Sequence, residues 1–431
     1  MKLNAVVVGC LHGEFDLLYE TVRKIEKTGN VVIDLILVNG DFQCLRSEID
    51  MEAMVCPPKY KVMGDFKKYW DGTKKAPYLT IFVGGNHEAS NYLFELYYGG
   101  WVAENIYYLG KSGVIEVAGF RIAGTSGIYN EKDYRKGYYE TLPFNEKGKR
   151  SIYHVREYEA LKLSLIEGKI DIMMSHDWPS TAIKQGNYRS LSIYKPCYEE
   201  QIQKSQIGNS MTGYLINKLK PSIWLSGHMH VYYKVTVKHD AGAQTEFLAF
   251  DKAIPGRIWF KPLRLEKGEN GSISITDIQY LNEPKPKNPY AEIDKKLQSE
   301  DIKEEEKVRP SPKIYYDAEW LAITKVLDPL MSLKTNADYF NLMKSYPHYA
   351  EQNVCKNFPI DWGTTIMDLK KLIHEEMVKY KEKKEVYSFT SASENNCNKQ
   401  TMLFMEYLKI HSKLYKKPIE TAKEIDILKF C

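Results

Sequence analysis

LTIFVGGNHE, from Leu79 to Glu88, is the stretch on which the fold turns. Its first five residues form an apolar run of strand length. The next five bring a turn-forming glycine pair and then side chains that bind ions or move protons. The same grammar occurs four more times. Ala5 to Val8 leads into GCLHG at Gly9, Leu35 to Val38 into NGDFQ at Asn39, Ile170 to Met174 into SHDWP at Ser175, and Ile223 to Leu225 into GHMH at Gly227. Five buried strands, each bounded by Gly, Asn or Asp at its carboxyl end, predict an α/β fold. Ligands bind at that edge of open α/β sheets, so the five motifs should converge.

What converges is Cys10, His12, Asp41, Asn86, His87, His176, His228 and His230, an inventory of metal donors. Two separate divalent cations would need about eight donors, but a carboxylate can bridge with its two oxygens. Asp41 is the natural bridge. One cluster would then be Cys10, His12, Asp41 and His230, and the other Asp41, Asn86, His176 and His228, although exchanging His228 and His230 fits equally well. Two metals about 3.5–4 Å apart suit hydrolysis of a phosphodiester, because they hold phosphoryl oxygens and acidify water. His87, left without a ligand role, can serve as general acid, since an imidazole titrates near neutral pH.

Taken singly, a GD or HxH after a strand is mostly turn chemistry. Five in one order on one βα scaffold would need five separate structural explanations. A lone structural zinc is disfavoured because such sites close with Cys or His at tight spacing, and the chain contains no CxxC.

These motifs resemble the calcineurin-like metallophosphoesterases, whose pattern opens with DxH where this chain has Cys10, Leu11 and His12. Cysteine in that place resembles the lariat RNA debranching enzymes. So do GGNHEASNYLFELYYGGWVAENIYYLG from Gly84, GTSGIYNEKDYRKGYYE from Gly124, SIYHVREYE from Ser151, FLAFDK from Phe247, YDAEWLAI from Tyr316 and, more loosely, NKQTMLFMEYL near the end. Glu104 stands where that pattern has proline. The resemblance implies a metallophosphoesterase β-sandwich flanked by helices, with a smaller, mainly helical C-terminal domain. The implied boundaries are 1–255 for the catalytic domain, with a lariat recognition segment at 124–156, then a connecting hairpin and charged linker at 256–312 and the C-terminal domain at 313–431.

The implied activity is hydrolysis of the 2′,5′ phosphodiester at the branch of excised intron lariats by metal-activated hydroxide, with branched RNA as partner and the nucleus, secondarily the cytoplasm, as location. Cys10, His12, Asp41, Asn86, His176, His228 and His230 would hold two divalent metals, and His87 would protonate the departing 2′ oxygen. The thiolate favours Fe(II) or Zn(II) over Mg(II), with Mn(II) compatible. It also makes the site open to oxidation by peroxide.

Between Tyr129 and Arg156 tyrosine is interleaved with Lys and Arg, with little periodicity before a helix near Arg156. A long loop of this kind either binds or packs on the domain, with equal weight on composition; as a binding loop it would use Tyr129, Tyr134 and Tyr138 to stack on bases, Arg135, Lys136, Arg150 and Arg156 to meet phosphates, and His154 to contact substrate or satisfy a carbonyl. Tyr139, Phe144, Tyr153, Lys147 and Lys149 share the pattern. Tyrosines packed on the domain are the competing reading, and the resemblance favours binding.

The 431 residues carry a net charge of +4, too mild for a protein that coats long duplexes and compatible with a local basic patch. Seven cysteines without framework spacing fit a reducing compartment. No apolar run approaches the roughly 20 residues of a membrane span, and the first strand begins at once, so neither an anchor nor a cleavable leader is expected. The Lys, Glu and Pro-rich tract from Asn282 to Pro312 reads as a linker. Trp320, Leu321, Thr324 and Leu327, then Ile366, Leu369, Leu372, Ile373 and Met377, fall at helical spacing and should pack on the catalytic domain. Tyr387 to Lys399 reads as a loop, and Lys413 to Lys417 as a weak nuclear-import patch. A general metallophosphatase would share the donors but need no aromatic and basic segment. A binding scaffold without turnover would have lost donors, and none is lost here.

Overall fold

The computed structural model describes residues 1–204, 207–280, 311–328, 366–382, 384–387 and 398–410. Its strands in chain order are β1 (Lys2–Val8), β2 (Leu35–Asn39), β3 (Thr80–Val83), β4 (Gly100–Ala103), β5 (Ile106–Tyr108), β6 (Ser112–Val117) and β7 (Phe120–Thr125). There follow β8 (Ile172–Ser175), β9 (Ile223–Ser226), β10 (Tyr233–Lys238), β11 (Gln244–Ala249), β12 (Phe260–Lys267), β13 (Ile273–Asp277) and β14 (Ile314–Tyr316). They form two sheets, ordered β13-β12-β1-β2-β3-β5-β4 and β10-β11-β9-β8-β7-β6-β14. All five expected strands are present: β1, β2 and β3 run parallel in the first sheet, and β8 and β9 run parallel in the second.

Alternation of side chains explains the sandwich. Leu3, Ala5 and Val7 of β1, Leu35 and Leu37 of β2, and Ile81 and Val83 of β3 share one buried layer with Ile172, Met174, Ile223 and Leu225 of the opposing sheet. The intervening Val6, Val8, Ile36, Val38 and Phe82 face outward onto the helix Phe15–Gly29. On the other side Met173 and Trp224 face a helical layer that includes Trp320, Leu321 and Phe404. Strands buried on both faces read as continuous apolar runs, which is why the sequence displays them so plainly.

Two expected readings are corrected. The hairpin beyond residue 255 is no connector: β12 pairs antiparallel with β1 from Val8↔Phe260 to Lys2↔Glu266, and β13 pairs with β12, so both complete the first sheet. The stretch from Tyr129 to Arg156 is no plain loop either, since it contains the helices Glu131–Tyr134 and Glu146–Ser151. The side chains of Asn130 and Asn145 cap them, accepting from Lys132 N and Gly148 N at 3.1 and 2.8 Å. The helix expected near Arg156 is Glu157–Ser164. Residues 281–310 of the linker, 388–397 of the expected loop and the basic patch Lys413 to Lys417 lie outside the described residues.

The C-terminal residues clamp both sheets. Ile314 to Tyr316 adds a strand to β6. The helices Ala318–Leu327 and Ile366–Met377 follow as expected. Arg121 of β7 grips Asp317 with Nε and Nη2 at 2.6 and 2.7 Å, and Glu319 with Nη2 at 2.6 Å. At the far edge the Gln400 side-chain amide pairs with the backbone of Trp101, accepting from its N–H and donating to its carbonyl, both at 2.8 Å. Among the described residues no helix is long and apolar enough to cross a membrane.

Removing one partner of a shielded ion pair strands the other charges. Arg121→Leu should therefore cost about 3 kcal/mol in urea unfolding, and Lys370→Ala, which breaks only an exposed pair with Glu167, less than about 0.5 kcal/mol. Equal effects would show that the Arg121 clamp does not hold the C-terminal helix.

Candidate metal centre

The five motifs meet where the strands of both sheets end. Cys10 closes β1, Asp41 follows β2, Asn86 and His87 follow β3, His176 follows β8, and His228 and His230 follow β9. To turn inward immediately after a strand, His12, Asp41, His228 and His230 adopt left-handed backbone, with φ of 52°, 41°, 61° and 51°. Non-glycine residues seldom do so, and such strain gathers at functional sites. Two glycines make the closeness possible. A Cβ on Gly40 would lie 2.1 Å from His176 Nδ1, and one on Gly85 would lie 2.2 Å from Asp41 Oδ1.

One group of donors is already fit for an ion. The ligand atoms of Cys10, His12, Asp41 and His230 all lie within 4.8 Å of one another. His12 Nε2 and His230 Nε2 face each other at 3.3 Å. That is the edge expected for a tetrahedral ion with Zn–N bonds of about 2.0–2.1 Å. The second group surrounds His176, whose Nε2 is 3.1 Å from Asn86 Oδ1 and 3.4 Å from Asp41 Oδ1. The His228 ring lies 4.9 Å from that of His176. Asp41 thus turns Oδ1 to His176 and Oδ2 to His12, the latter at 3.8 Å.

Burial sets the protonation of these groups. It drives His176 down to about 4 and His230 to about 3, and it lowers His12, so all three imidazoles are neutral and offer lone pairs. Asp41 is pushed up by burial, yet His176, His12 and His87, with the His87 N–H bond, overcome this and hold it below the usual carboxylate range. Burial, reinforced by Asp41, raises the Cys10 thiol well above its ordinary value. A cation binding there has to displace that proton. His228 N already donates to Cys10 Sγ at 3.1 Å.

Ring orientation comes from neighbours outside the donor set. Asn39 O accepts His176 Nδ1–H at 2.9 Å, so its Nε2 faces Asn86 and Asp41, and Val55 O accepts His87 Nδ1–H at 2.8 Å. The Gln43 amide meets His12 Nδ1 at 2.9 Å. Sequence reasoning missed Gln43 and Glu88, although NGDFQ and GGNHE spell them out. Glu88 is buried and ties the Asp41 loop to the His87 loop by accepting from Phe42 N, Gln43 N and Gly85 N at 2.7, 2.8 and 2.9 Å. Burial and Asp41 push it up to about 8. A strand-end Glu beside a histidine was the available signal.

The aromatic and basic segment adjoins this centre. Tyr129 N donates to Asp177, next to His176, at 3.0 Å. The Tyr153 phenol is raised by burial, lowered by Arg150 and raised by Asp41, so its ring lies within electrostatic reach of both. Three expected contacts are corrected. Tyr134, Tyr138 and Arg156 are buried, the last at 0% exposure. Arg156 binds Glu140 at 2.5 Å and the carbonyls of Asp133 and Ser151 at 3.1 Å, above the Tyr138 ring. These three build the segment from within. Asp133 Oδ2 takes His154 Nδ1 at 2.8 Å, and its Oδ1 pairs with Lys136 at 2.7 Å. Tyr129 and Arg135 are half-buried, and Arg150 and Lys147 are exposed.

Residues 3–232 match the family profile of the calcineurin-like phosphoesterases, and residues 242–413 that of the C-terminal domain of lariat debranching enzymes. The lariat debranching enzyme of Arabidopsis thaliana is 43% identical over 280 residues, covering 65% of this chain and 67% of that one. The Homo sapiens enzyme is 45% identical over 286 residues, 65% of this chain and 53% of the other. The Gallus gallus enzyme is 39% identical over 337 residues, 77% and 56%. The matched region thus spans about half the length of the two vertebrate relatives.

Because His12, His176 and His230 are neutral and Asp41 is ionised before any ion arrives, Cys10 is the donor among these that must lose a proton. Titrating Zn(II) into metal-free protein, in buffers of differing ionisation enthalpy, should release about one proton more from the wild type than from Cys10→Ser. Equal release would remove Cys10 from the ligands.

Proposed function

Because this chain belongs to the calcineurin-like phosphoesterases, and among them to the lariat debranching enzymes, we propose that it hydrolyses the 2′,5′ phosphodiester at the branch point of intron lariats. The observation that carries the reading is the convergence of Cys10, His12, Asp41 and His230 on one point, with Asn86, His176 and His228 on the other side of Asp41. Two divalent ions fit this donor set. When bound, they supply Lewis-acid charge at the phosphoryl group and acidify a water. A thiolate beside imidazoles favours Fe(II) or Zn(II), with Mn(II) next.

The protein's own groups do the rest. Asp41 stays ionised between the two donor sets. His87 is anchored through Nδ1 on Val55 O, which leaves Nε2 to deliver the proton that the departing 2′ oxygen needs. The His87 ring lies 6.0 Å from that of His12, beside the first donor set. Exposed Arg150 and Lys147 would meet RNA phosphates, and Tyr129 and Tyr153 would offer ring faces to unstacked bases. A nuclear location belongs to the same reading, and imaging of the tagged chain tests it.

The defining test uses a synthetic RNA with a 2′,5′ and a 3′,5′ linkage at one adenosine, given anaerobically to protein reloaded with Fe(II), Zn(II) or Mn(II). Loss of the 2′,5′ branch with an intact linear backbone is expected. Hydrolysis of a simple aryl phosphoester without branch cleavage would instead indicate a general phosphatase. His87→Ala should keep its metals and slow branch cleavage by about 10²–10⁴, and a loss below tenfold would remove the general-acid role.

A further inference from the structure

Strand β11 ends at Ala249, and the chain then turns back over the first metal strand through Phe250, Asp251 and Lys252. The fit is tight. A Cβ on Gly9 would sit 2.1 Å from Asp251 O, Ala253 N donates to Cys10 O at 2.9 Å, and Lys252 bridges Cys10 as a strand partner. The backbone of Lys252 is thereby fixed beside a proposed metal ligand.

Its side chain is half-buried, and among the described residues no carboxylate lies within 4.0 Å of its ammonium. The neighbouring Asp251 is occupied, because Arg257 Nη1 holds its Oδ1 at 3.1 Å and Lys252's own N–H donates to the same oxygen at 2.7 Å. Partners in a parallel bridge set their side chains on the same face, so the Lys252 side chain leaves on the side of Cys10. On that side the Cys10 thiol lies with the donor atoms of His12, Asp41 and His230 in one group, all within 4.8 Å of one another.

An unpaired cation at the rim of a cation site is a repulsive arrangement unless an anion joins them. The thiolate and Asp41 are already committed to the ions, so the missing anion has to come from the substrate. On the phosphodiesterase reading, that anion is identified by charge. Hydrolysis breaks the bond from phosphorus to the 2′ oxygen, forms one to a water oxygen, and turns a singly charged diester into a monoester able to carry a second charge.

We propose that Lys252 is a phosphate-binding residue of this centre, its ammonium contacting a non-bridging oxygen of the scissile phosphodiester and of the phosphomonoester product on the Cys10 side. It offers more to the transition state than to the substrate, because negative charge grows there. A charge-assisted contact of this kind differs from the exposed Arg150 and Lys147, which would hold flanking phosphates and affect binding alone.

The test compares metal-loaded wild type, Lys252→Ala and Lys252→Arg. Three readouts are needed: metal content, kcat and KM on branched RNA, and affinity for inorganic phosphate by calorimetry. Lys252→Ala should keep its metals, lose about 10- to 100-fold, mainly in kcat, and weaken phosphate binding, with Lys252→Arg recovering part of both. Unchanged kcat and phosphate affinity in Lys252→Ala would overturn the proposal, as would a loss that merely tracks loss of metal. The phosphate arm stands apart from the RNA arm. If the wild type leaves branched RNA intact but binds phosphate through Lys252, the debranching reading fails and the phosphate site stands.

Discussion

The rest of the structure depends on one buried carboxylate that stays charged. Asp41 is 1% exposed, a setting that should neutralise it, and it is kept ionised by His176, His12 and His87 and by the His87 N–H bond at 2.8 Å. Those partners arrive from the ends of β1, β3 and β8, so the carboxylate is stable only if the strands of both sheets stop at the right place. Fold and site are therefore the same problem. The left-handed turns at His12, Asp41, His228 and His230 are the local cost of bringing seven donors together, and the two-sided burial of the strands offsets it.

Around the donors lies a shell that holds them without touching an ion. Glu88 binds the Asp41 loop to the His87 loop through three backbone N–H groups, while Asn39 O and Val55 O select the tautomers of His176 and His87. The C-terminal residues extend this bracing outward. Thr401 Oγ1 donates at 2.6 Å to the carbonyl of Glu95, at the end of the helix Ser90–Glu95 that follows GGNHE. The C-terminal part thus braces the helix that follows Asn86 and His87.

Most of the centre was legible in the sequence because each donor directly follows an apolar run, and strands buried on both faces advertise themselves without alternation. The parts that were not legible failed for physical reasons. Arg156, Tyr138 and Tyr134 look in composition like Arg150 and Tyr129, and only packing against Glu140, Asp133 and Tyr97 turns them inward. In sequence strands β12 and β13 read as a connector because nothing local says that Lys2 to Val8 lacks a neighbour on one side; that pairing spans the whole catalytic unit. Gln43 and Glu88 escaped because a second layer of support has no spacing rule of its own.

The proposed debranching chemistry requires two ions that share Asp41. Anomalous diffraction from crystals of the chain loaded with Zn(II) under reducing conditions addresses this directly. It should show two peaks flanking the Asp41 carboxylate, one against Cys10, His12 and His230 and the other against Asn86, His176 and His228. A single peak closed by Cys10, His12, Asp41 and His230, with His176 still bonded to Asn86, would contradict it and leave a mononuclear site.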